Sequence, residues 1–174
     1  MAIIKQTPLL AKQLGKDFFT DKLSSVCVNW LGDDIATIRD AATKNIQELT
    51  GLFGTDWACE FLLPSIDDIC QNSSYLRRLT AVQACGKMST KMDPSIAQTE
   101  VLPIVLEMAT DTVANIRFNV ARALAEMGPI CEPGVYHQQI SPILTLLQDD
   151  PDRDVRFHAE KTAVKLEETF AENR

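Results

Sequence analysis

Four arginines recur at one spacing and could bind carboxylate groups. Arg39, Arg78, Arg117 and Arg156 each lie 39 residues apart. A guanidinium is planar, always charged and carries five N–H donors, which suits bidentate binding of a carboxylate. Six positions before each arginine lies a possible acceptor, and these residues are Asp33, Asn72, Asp111 and Asp150. The two columns predict a structural ladder in which each guanidinium bridges acceptors of its own and adjacent units.

Groups that often act in catalysis show no chemical pattern in this chain. His137 and His158 lie apart, and neither belongs to a HExxH or Cys/His spacing typical of a metal site. The five cysteines form no CxxC pair, which is typical of reduced thiols in a cytosolic or nuclear protein. No glycine-rich phosphate loop occurs. We therefore expect no enzymatic activity, no catalytic residue, no metal and no cofactor.

Composition excludes further classes of partner. The 174 residues are 45% hydrophobic and 24% charged, with a formal net charge of −7. Such a charge gives no electrostatic support for binding nucleic acid. No apolar run is long enough to cross a bilayer. We expect a cytoplasmic protein, with the nucleus as a second compartment, that binds neither nucleic acid nor membrane.

Apolar residues recur at helical spacing in two segments of a period. Between positions 98 and 128, the two stripes consist of Val101, Ile104, Val105 and Met108, then Ile116, Val120, Leu124 and Met127. Spacings of three and four residues put each set on one helix face. Pro64, Pro103 and Pro142 also recur 39 residues apart, in the first segment. Because no strand-like alternation appears, the sequence predicts an all-α fold.

Neighbouring helix pairs must stack, because one pair alone buries only part of its apolar surface. The predicted architecture is an α-solenoid of antiparallel helix pairs with a 39-residue period, wound as a right-handed superhelix. Residues 16–54, 55–93, 94–132 and 133–174 are the four expected full repeats. Residues 1–15 fit the second helix of a truncated repeat. We therefore expect a single array over residues 1–174 that is a fragment of a longer protein.

The order of these features resembles the HEAT repeat. That pattern places proline in the first helix, aspartate at the turn, and an aliphatic residue followed by arginine at the start of the second helix. The motif D-x-x-x-x-[VI]-R occurs at 33–39, 111–117 and 150–156. The second repeat departs from it, with Asn72 in place of aspartate and Arg77 in place of the aliphatic residue.

Longer stretches resemble the C-terminal repeats of the scaffold (A, or 65 kDa regulatory) subunits of protein phosphatase 2A. They are PLLAKQLGKDFFTDKL, IRDAATKNIQELTGLFGTDWA, VANIRFNVARALAEMGPI and DVRF, within a similarity from Ala2 to about Lys165. The resemblance implies a non-catalytic scaffold whose C-terminal repeats hold the catalytic subunit of the phosphatase. Variable regulatory subunits would bind only through N-terminal repeats, which this chain lacks.

The resemblance also implies a binding surface on the turns between the two helices of each repeat. Carried over by position, its residues are Ile35, Ala36, Tyr75, Arg77, Val113, Asn115, Asp152 and Arg153. Apolar or aromatic residues in polar turns are typical of partner contacts, and an aromatic anchor such as Tyr75 suits a hot spot. A second interpretation is that Ile35 and Val113 cover the ends of their own helices.

An alternative function is a HEAT-repeat adaptor of nuclear transport or another protein-binding solenoid. One column of the second helices contains Lys44, Gln83, Arg122 and Lys161 and is mostly basic. Cargo receptors for basic signals need an acidic surface there. The simplest interpretation of the column is a solvated helix face. A HEAT fold by itself does not determine the partner.

Overall fold

The computed structural model of the protein describes residues 2–171, with side chains from Ile4 onward. Met1 and residues 172–174, which the expected ranges 1–15 and 133–174 include, lie outside the described residues. The described part of the chain contains nine long helical segments: α1 (Ala2–Leu14), α2 (Lys16–Asn29), α3 (Ala36–Phe53), α4 (55–70), α5 (Tyr75–Ser89), α6 (94–110), α7 (Ala114–Met127), α8 (133–148) and α9 (Arg153–Ala171). Short 3-10 turns, Trp30–Gly32 and Gly128–Ile130, follow α2 and α7 directly. Residues 2–171 contain no strand, so the predicted all-α solenoid class is confirmed. None of these helices is both long and apolar enough to cross a membrane.

The helices form two layers. In the second-helix layer, α1, α3, α5, α7 and α9 pack side by side in chain order. Helices α2, α4, α6 and α8 form the first-helix layer, and each packs against the helix that follows it. A single hydrophobic core runs between the layers, and its fully buried members include Leu31, Ile66, Leu102 and Leu144. Stacking thus buries the apolar stripes that one helix pair would leave exposed.

The recurring proline changes the geometry of the first helices. Wide π-helical turns precede it in α4, α6 and α8, at Ala58–Leu62, Ala97–Val101 and Tyr136–Ile140. In the first of these turns, the Leu63 N–H donates to the Ala58 carbonyl five residues earlier. Proline has no N–H, and its ring clashes with the carbonyl four residues before it. Helix α2 has Ser25 at the same position of the period and continues as a regular α-helix.

A different proline lies inside α1 and leaves one backbone carbonyl without its usual helical donor. A side chain of a neighbouring helix supplies a donor instead. Pro8 cannot donate to the Ile4 carbonyl one turn earlier. The side-chain amide of Asn45, a buried residue of α3, donates to that carbonyl at 2.7 Å. The buried backbone acceptor is therefore paired. This hydrogen bond also joins α1 to α3.

Aromatic side chains connect the first two helix pairs. The Trp57 ring is buried and meets Phe53 edge-on with centroids 4.8 Å apart, and Phe53 contacts Phe19 at 5.6 Å. The Trp57 indole N–H donates to the Thr20 hydroxyl at 2.7 Å. Trp57 thus places its polar atom against α2 and its ring in the core, as a buried tryptophan requires.

Directly after α7, Gly128 lies in close contact with α9. A Cβ atom added at Gly128 would lie 2.5 Å from a methyl carbon of Leu166 in α9. Leu166 is fully buried. A larger residue at position 128 would therefore displace α9 from α7.

Candidate protein-binding ridge

One local design shapes all four turns between first and second helices. A side-chain oxygen accepts the backbone N–H two residues later at 2.8–2.9 Å, in the pairs Asp33–Ile35, Asn72–Ser74, Asp111–Val113 and Asp150–Asp152. Aspartate and asparagine favour this Asx turn because their short side chains reach their own backbone. The repeated turn gives the solenoid a ridge of similar loops, and we call this row of turns the turn ridge.

Two arginines connect neighbouring turns through bidentate ion pairs. Arg78 donates from Nε and Nη2 to the Asp111 carboxylate at 2.7 and 3.0 Å. Arg117 donates in the same way to Asp150 at 2.6 and 2.8 Å. The Nη1 of each arginine donates to a carbonyl of its own turn, on Asn72 and Asp111 respectively, at 2.8 Å. Each guanidinium therefore holds its own turn and the next one.

These contacts keep the paired groups charged. Hydrogen bonds from Arg117 hold the pKa of the Asp150 carboxyl below its usual value, against the opposing effect of burial. Burial raises the pKa of Asp111, but hydrogen bonds from Arg78 and the Val113 N–H outweigh burial, so the net pKa is lowered. The same hydrogen bonds raise the pKa of both guanidinium groups. Both pairs are ionised at neutral pH.

The other two arginines contact only their own turns. Arg39 Nη1 donates to the Asp33 carbonyl at 2.8 Å, and the residue that matches Asp111 in the next turn is the uncharged Asn72. Arg156 Nη1 donates to the Asp150 carbonyl at 2.6 Å. Among the side chains that the structure describes, neither guanidinium forms an ion pair within 4.0 Å. The ladder of inter-repeat ion pairs therefore joins the last three turns and omits the first.

Two apolar side chains of the turn ridge face solvent. Ile35 is 57% exposed and Tyr75 is 44% exposed. Both lie at the start of a second helix, where the Asx residues satisfy the backbone. The exposure of Ile35 disfavours the interpretation that it covers the end of its own helix. The polar or small residues Ala36, Asn115 and Arg153 are exposed beside them.

Val113 and Asp152 have structural roles in the ridge. Val113 is only partly exposed and packs against the hydrophobic core, which favours the helix-covering interpretation for this residue. Asp152 Oδ1 accepts the N–H groups of Asp154 and Val155 at 2.8 and 3.2 Å and so caps α9. Removing the Asp152 carboxylate would therefore weaken α9 whatever its effect on a partner.

Arg77 occupies a position that is buried in the following repeats. The residues one and two periods later, Ile116 and Val155, are fully buried. Arg77 is exposed, and a Cβ at Gly32 would lie 3.0 Å from its Nε atom. The guanidinium thus lies across the backbone of the preceding turn. Where the later repeats have a buried aliphatic side chain, Arg77 instead makes a surface contact between two turns of the ridge.

Two further observations concern groups that could bind a metal ion or act as nucleophiles. Within residues 4–171 no group of histidine, cysteine or acidic residues could hold a metal ion. Burial raises the pKa of the Cys27 thiol to about 12 and that of Cys131 to about 11. Such thiols stay protonated at neutral pH and are poor nucleophiles.

The helix pairs, their turns and the core define an α-solenoid, and comparison with known proteins places it in a family. The family described as HEAT repeats matches residues 68–163, so the chain belongs to the HEAT-repeat family. A curated relative is the A-type regulatory subunit of protein phosphatase PP2A from Schizosaccharomyces pombe, which is 38% identical over 65 residues. That match covers 37% of this chain and 11% of the relative, so the chain corresponds to a small part of that protein.

Solved structures show the same fold. Cex1p superposes with a TM-score of 0.76 at 17% identity, over 98% of this chain and 33% of Cex1p. A designed armadillo repeat protein in complex with the peptide (KR)4 superposes with a TM-score of 0.54 at 16% identity, over 98% of this chain and 80% of that one. At these identities the likeness concerns the fold alone.

Proposed function

We propose that the chain is a non-catalytic protein-binding scaffold whose turn ridge docks the catalytic subunit of a 2A-type serine/threonine phosphatase. HEAT-family membership and the partial likeness to the A-type regulatory subunit of PP2A support this proposal. The observation that carries it is the exposure of Ile35 and Tyr75 on successive turns of one ridge. In this proposal the partner contacts are Ile35, Ala36, Tyr75, Arg77, Val113, Asn115, Asp152 and Arg153, and a variable regulatory subunit is held by repeats outside these residues.

The ladder suits such a scaffold because it fixes the turns relative to one another. Arg78 and Arg117 each hold two successive turns through bidentate hydrogen bonds. A ridge held in one arrangement before binding loses less conformational entropy when a partner docks. Exposed apolar anchors within a polar rim are the features that usually carry affinity in an interface.

Charge argues against the nuclear-transport alternative for basic cargo. Arg122 and Lys161, on the second-helix layer, are exposed and positively charged. A basic peptide would be repelled from that surface rather than attracted to it. No feature of residues 4–171 favours this function over the scaffold.

The test is a calorimetric titration of the 174-residue chain with the purified catalytic subunit of a 2A-type phosphatase. Wild-type protein should bind saturably, and Tyr75→Ala should weaken binding by about 1–3 kcal/mol, as expected of an exposed aromatic anchor. Ile35→Ala should weaken binding by a smaller amount. The matched control is Leu52→Ala, which removes an apolar side chain 40% exposed at the end of α3 that is opposite the ridge.

Equal effects of Tyr75→Ala and Leu52→Ala would move the binding site away from the ridge. Absence of saturable binding by the folded chain would contradict the proposal itself. Circular dichroism of each variant separates lost binding from lost structure. Val113 and Asp152 are avoided as test sites because both also contribute to folding.

A further inference from the structure

A positively charged groove lies on the second-helix layer, between α7 and α9. Its volume is about 690 Å³, and its walls include Arg122 and Glu126 from α7 and His158, Lys161 and Lys165 from α9. The turn ridge contributes no residue to it. The groove therefore belongs to a surface that the proposed phosphatase contacts leave free.

Two cations of this groove form no ion pair among the described residues, unlike basic groups farther along the same layer, and the one carboxylate in its walls, Glu126, lies beside Lys87. Lys44 pairs with Asp40 at 2.8 Å, and Lys87 lies 3.7 Å from Glu126. Arg122 and Lys161 are exposed, and within residues 4–171 neither has a carboxylate within 4.0 Å. In the column Lys44, Gln83, Arg122 and Lys161, the first cation is therefore paired within the chain, whereas the last two can bind an external anion.

The floor and walls of the groove are held in place. Lys165 Nζ donates to the Ala125 carbonyl at 2.9 Å, and the Thr162 hydroxyl donates to the Ala121 carbonyl at 3.0 Å. The His158 ring stacks on Phe118 with centroids 5.0 Å apart. These contacts join α9 to α7 and leave Arg122 and Lys161 as the free donors.

The groove continues along the layer. Arg122 and Glu126 also line a second depression of about 130 Å³, whose other walls include Gln83 and Asn119. Two adjoining depressions give room for an extended segment rather than a single small ion. In the second depression Gln83 Nε2 donates to Asn119 Oδ1 at 3.0 Å, and Asn119 Nδ2 donates to the Asn115 carbonyl, so these amides hold the walls in place.

We propose that this groove binds a short acidic segment of a partner protein through Arg122 and Lys161. Carboxylates match both the guanidinium and the ammonium, and two unpaired cations suit a segment with a few acidic residues. A long polyanion such as nucleic acid is disfavoured, because it would extend beyond the groove over the surface of a chain whose net charge is −7. The groove is a second interaction surface, independent of the turn ridge.

The environment of His158 agrees with this assignment. Burial lowers the pKa of the imidazole, the charges of Arg122 and Lys161 lower it further, and Asp154 opposes them. A bound carboxylate would offset the two cations and raise that pKa. Binding of an acidic segment should therefore strengthen as the pH falls through the range where His158 gains its proton.

The experiment measures fluorescence anisotropy of a labelled glutamate-rich peptide with the whole chain at about 50 mM salt, where screening is weak. Wild type should bind with saturation, and Arg122→Gln combined with Lys161→Gln should weaken binding about tenfold or more. Lys44→Gln is the matched control, because Lys44 lies in the same column but is paired with Asp40. Tyr75→Ala should leave this binding unchanged, which separates it from the ridge.

Three results would overturn the proposal: no saturable binding, equal losses with the Lys44→Gln control, or tighter binding of a single-stranded oligonucleotide of equal charge. A second readout is NMR titration of the histidines with and without the peptide. The pKa of His158, which burial and the charges of Arg122 and Lys161 lower in the free chain, should rise on binding. A His158 pKa unchanged at peptide saturation would also contradict the proposal.

Discussion

Each paired arginine of the ladder forms hydrogen bonds with two successive turns through one side chain. Nη1 of Arg117 satisfies a turn carbonyl that would otherwise lack a partner, while Nε and Nη2 bind the carboxylate of the next turn. Lysine would not replace arginine here, because its compact ammonium group cannot make a bidentate contact with a carboxylate and bond a second acceptor at the same time. The Arg117 and Asp150 side chains are 15% and 8% exposed, so the pair is shielded from solvent and its hydrogen bonds matter for stability.

The missing pair in the first interface can be supplied by one substitution. Asn72→Asp places a carboxylate opposite Arg39 at the same separation of 33 residues that joins Arg78 to Asp111. The Asx turn is kept, because Asn72 uses only its side-chain oxygen to accept the Ser74 N–H. The free energy of unfolding should rise by about 1 kcal/mol, as for a partly buried bidentate pair.

Urea denaturation of a double-mutant cycle measures this gain. In an Arg39→Gln background the Asn72→Asp substitution should bring no stabilisation, because the guanidinium is absent. An equal gain in both backgrounds would show that the new charge acts on the turn itself and not through Arg39.

The lowered pKa of Asp150 predicts a pH-dependent loss of stability. Because the folded-state pKa lies below the unfolded value of about 3.9, the stabilisation is complete above that value and is lost as the pH falls through the folded pKa. Asp150→Asn should therefore cost about 2 kcal/mol at pH 7 and much less in acid, where both side chains are neutral. Urea titrations at neutral and acidic pH provide the measurement, and a constant difference between wild type and variant would contradict the prediction.

Proline placement determines where the helices depart from regular geometry. The π-helical turns of α4, α6 and α8 each end directly before Leu63, Leu102 and Ser141, the residues that precede the three recurring prolines. Helix α2 lacks both the proline and the π-helical turn. The wide turn carries the carbonyls away from the proline ring, so the helix continues without a break.

The amide of Asn45 is expected to anchor α1. Asn45→Ala removes the donor to the Ile4 carbonyl, which Pro8 leaves without its helical partner. The free energy of opening α1 should fall by about 1–3 kcal/mol, which is the penalty of an unsatisfied buried acceptor. Other helices should be affected less, because the lost hydrogen bond holds α1 in place. Hydrogen exchange of the α1 amides measures this free energy, with exposed Glu48→Ala on the same helix as Asn45 as the control. Unchanged exchange in α1 would show that apolar packing alone holds the helix.

Stability in the whole molecule is distributed over interfaces between neighbours. Helices of the second-helix layer pack mainly against the adjacent members of that layer and against their own first helix. A stack of this kind can lose one end while the remainder stays folded. The two tryptophans, Trp30 and Trp57, lie in the first half of the chain and therefore report on that end only.

A substitution at the far end should separate two probes of unfolding. Leu166 is fully buried against Gly128, and Leu166→Ala should cost about 2–5 kcal/mol at the α7–α9 interface. Far-UV circular dichroism should then begin to change at lower urea than tryptophan fluorescence. Leu49→Ala, equally buried in α3, should reverse that order. Coincident transitions in both variants would instead show that the array unfolds as one cooperative unit.

Local patterns in the chain predict its architecture well, for a physical reason. Apolar stripes at helical spacing and a 39-residue recurrence of arginine, acidic residues and proline are short-range properties, so they indicate the all-α solenoid directly. The candidate ridge followed from the resemblance to phosphatase scaffold subunits, whose contact residues were carried over by position. The exposure of these residues could not be predicted in that way. Val113 and Ile35 occupy equivalent turns, but Val113 packs against the core and Ile35 is exposed to solvent.

The sequence by itself therefore determined the class of fold, the helix pairs and the residue types of the ladder, because these depend on spacing along one chain. Only the tertiary structure decided that Arg78 binds Asp111 while Arg39 binds only its own turn. It also showed that, among residues 4–171, Arg122 and Lys161 have no carboxylate within ion-pair distance, whereas Lys44 has Asp40. Such differences depend on distances between atoms of neighbouring repeats, which the stacking of helices sets and the periodicity of the sequence does not contain.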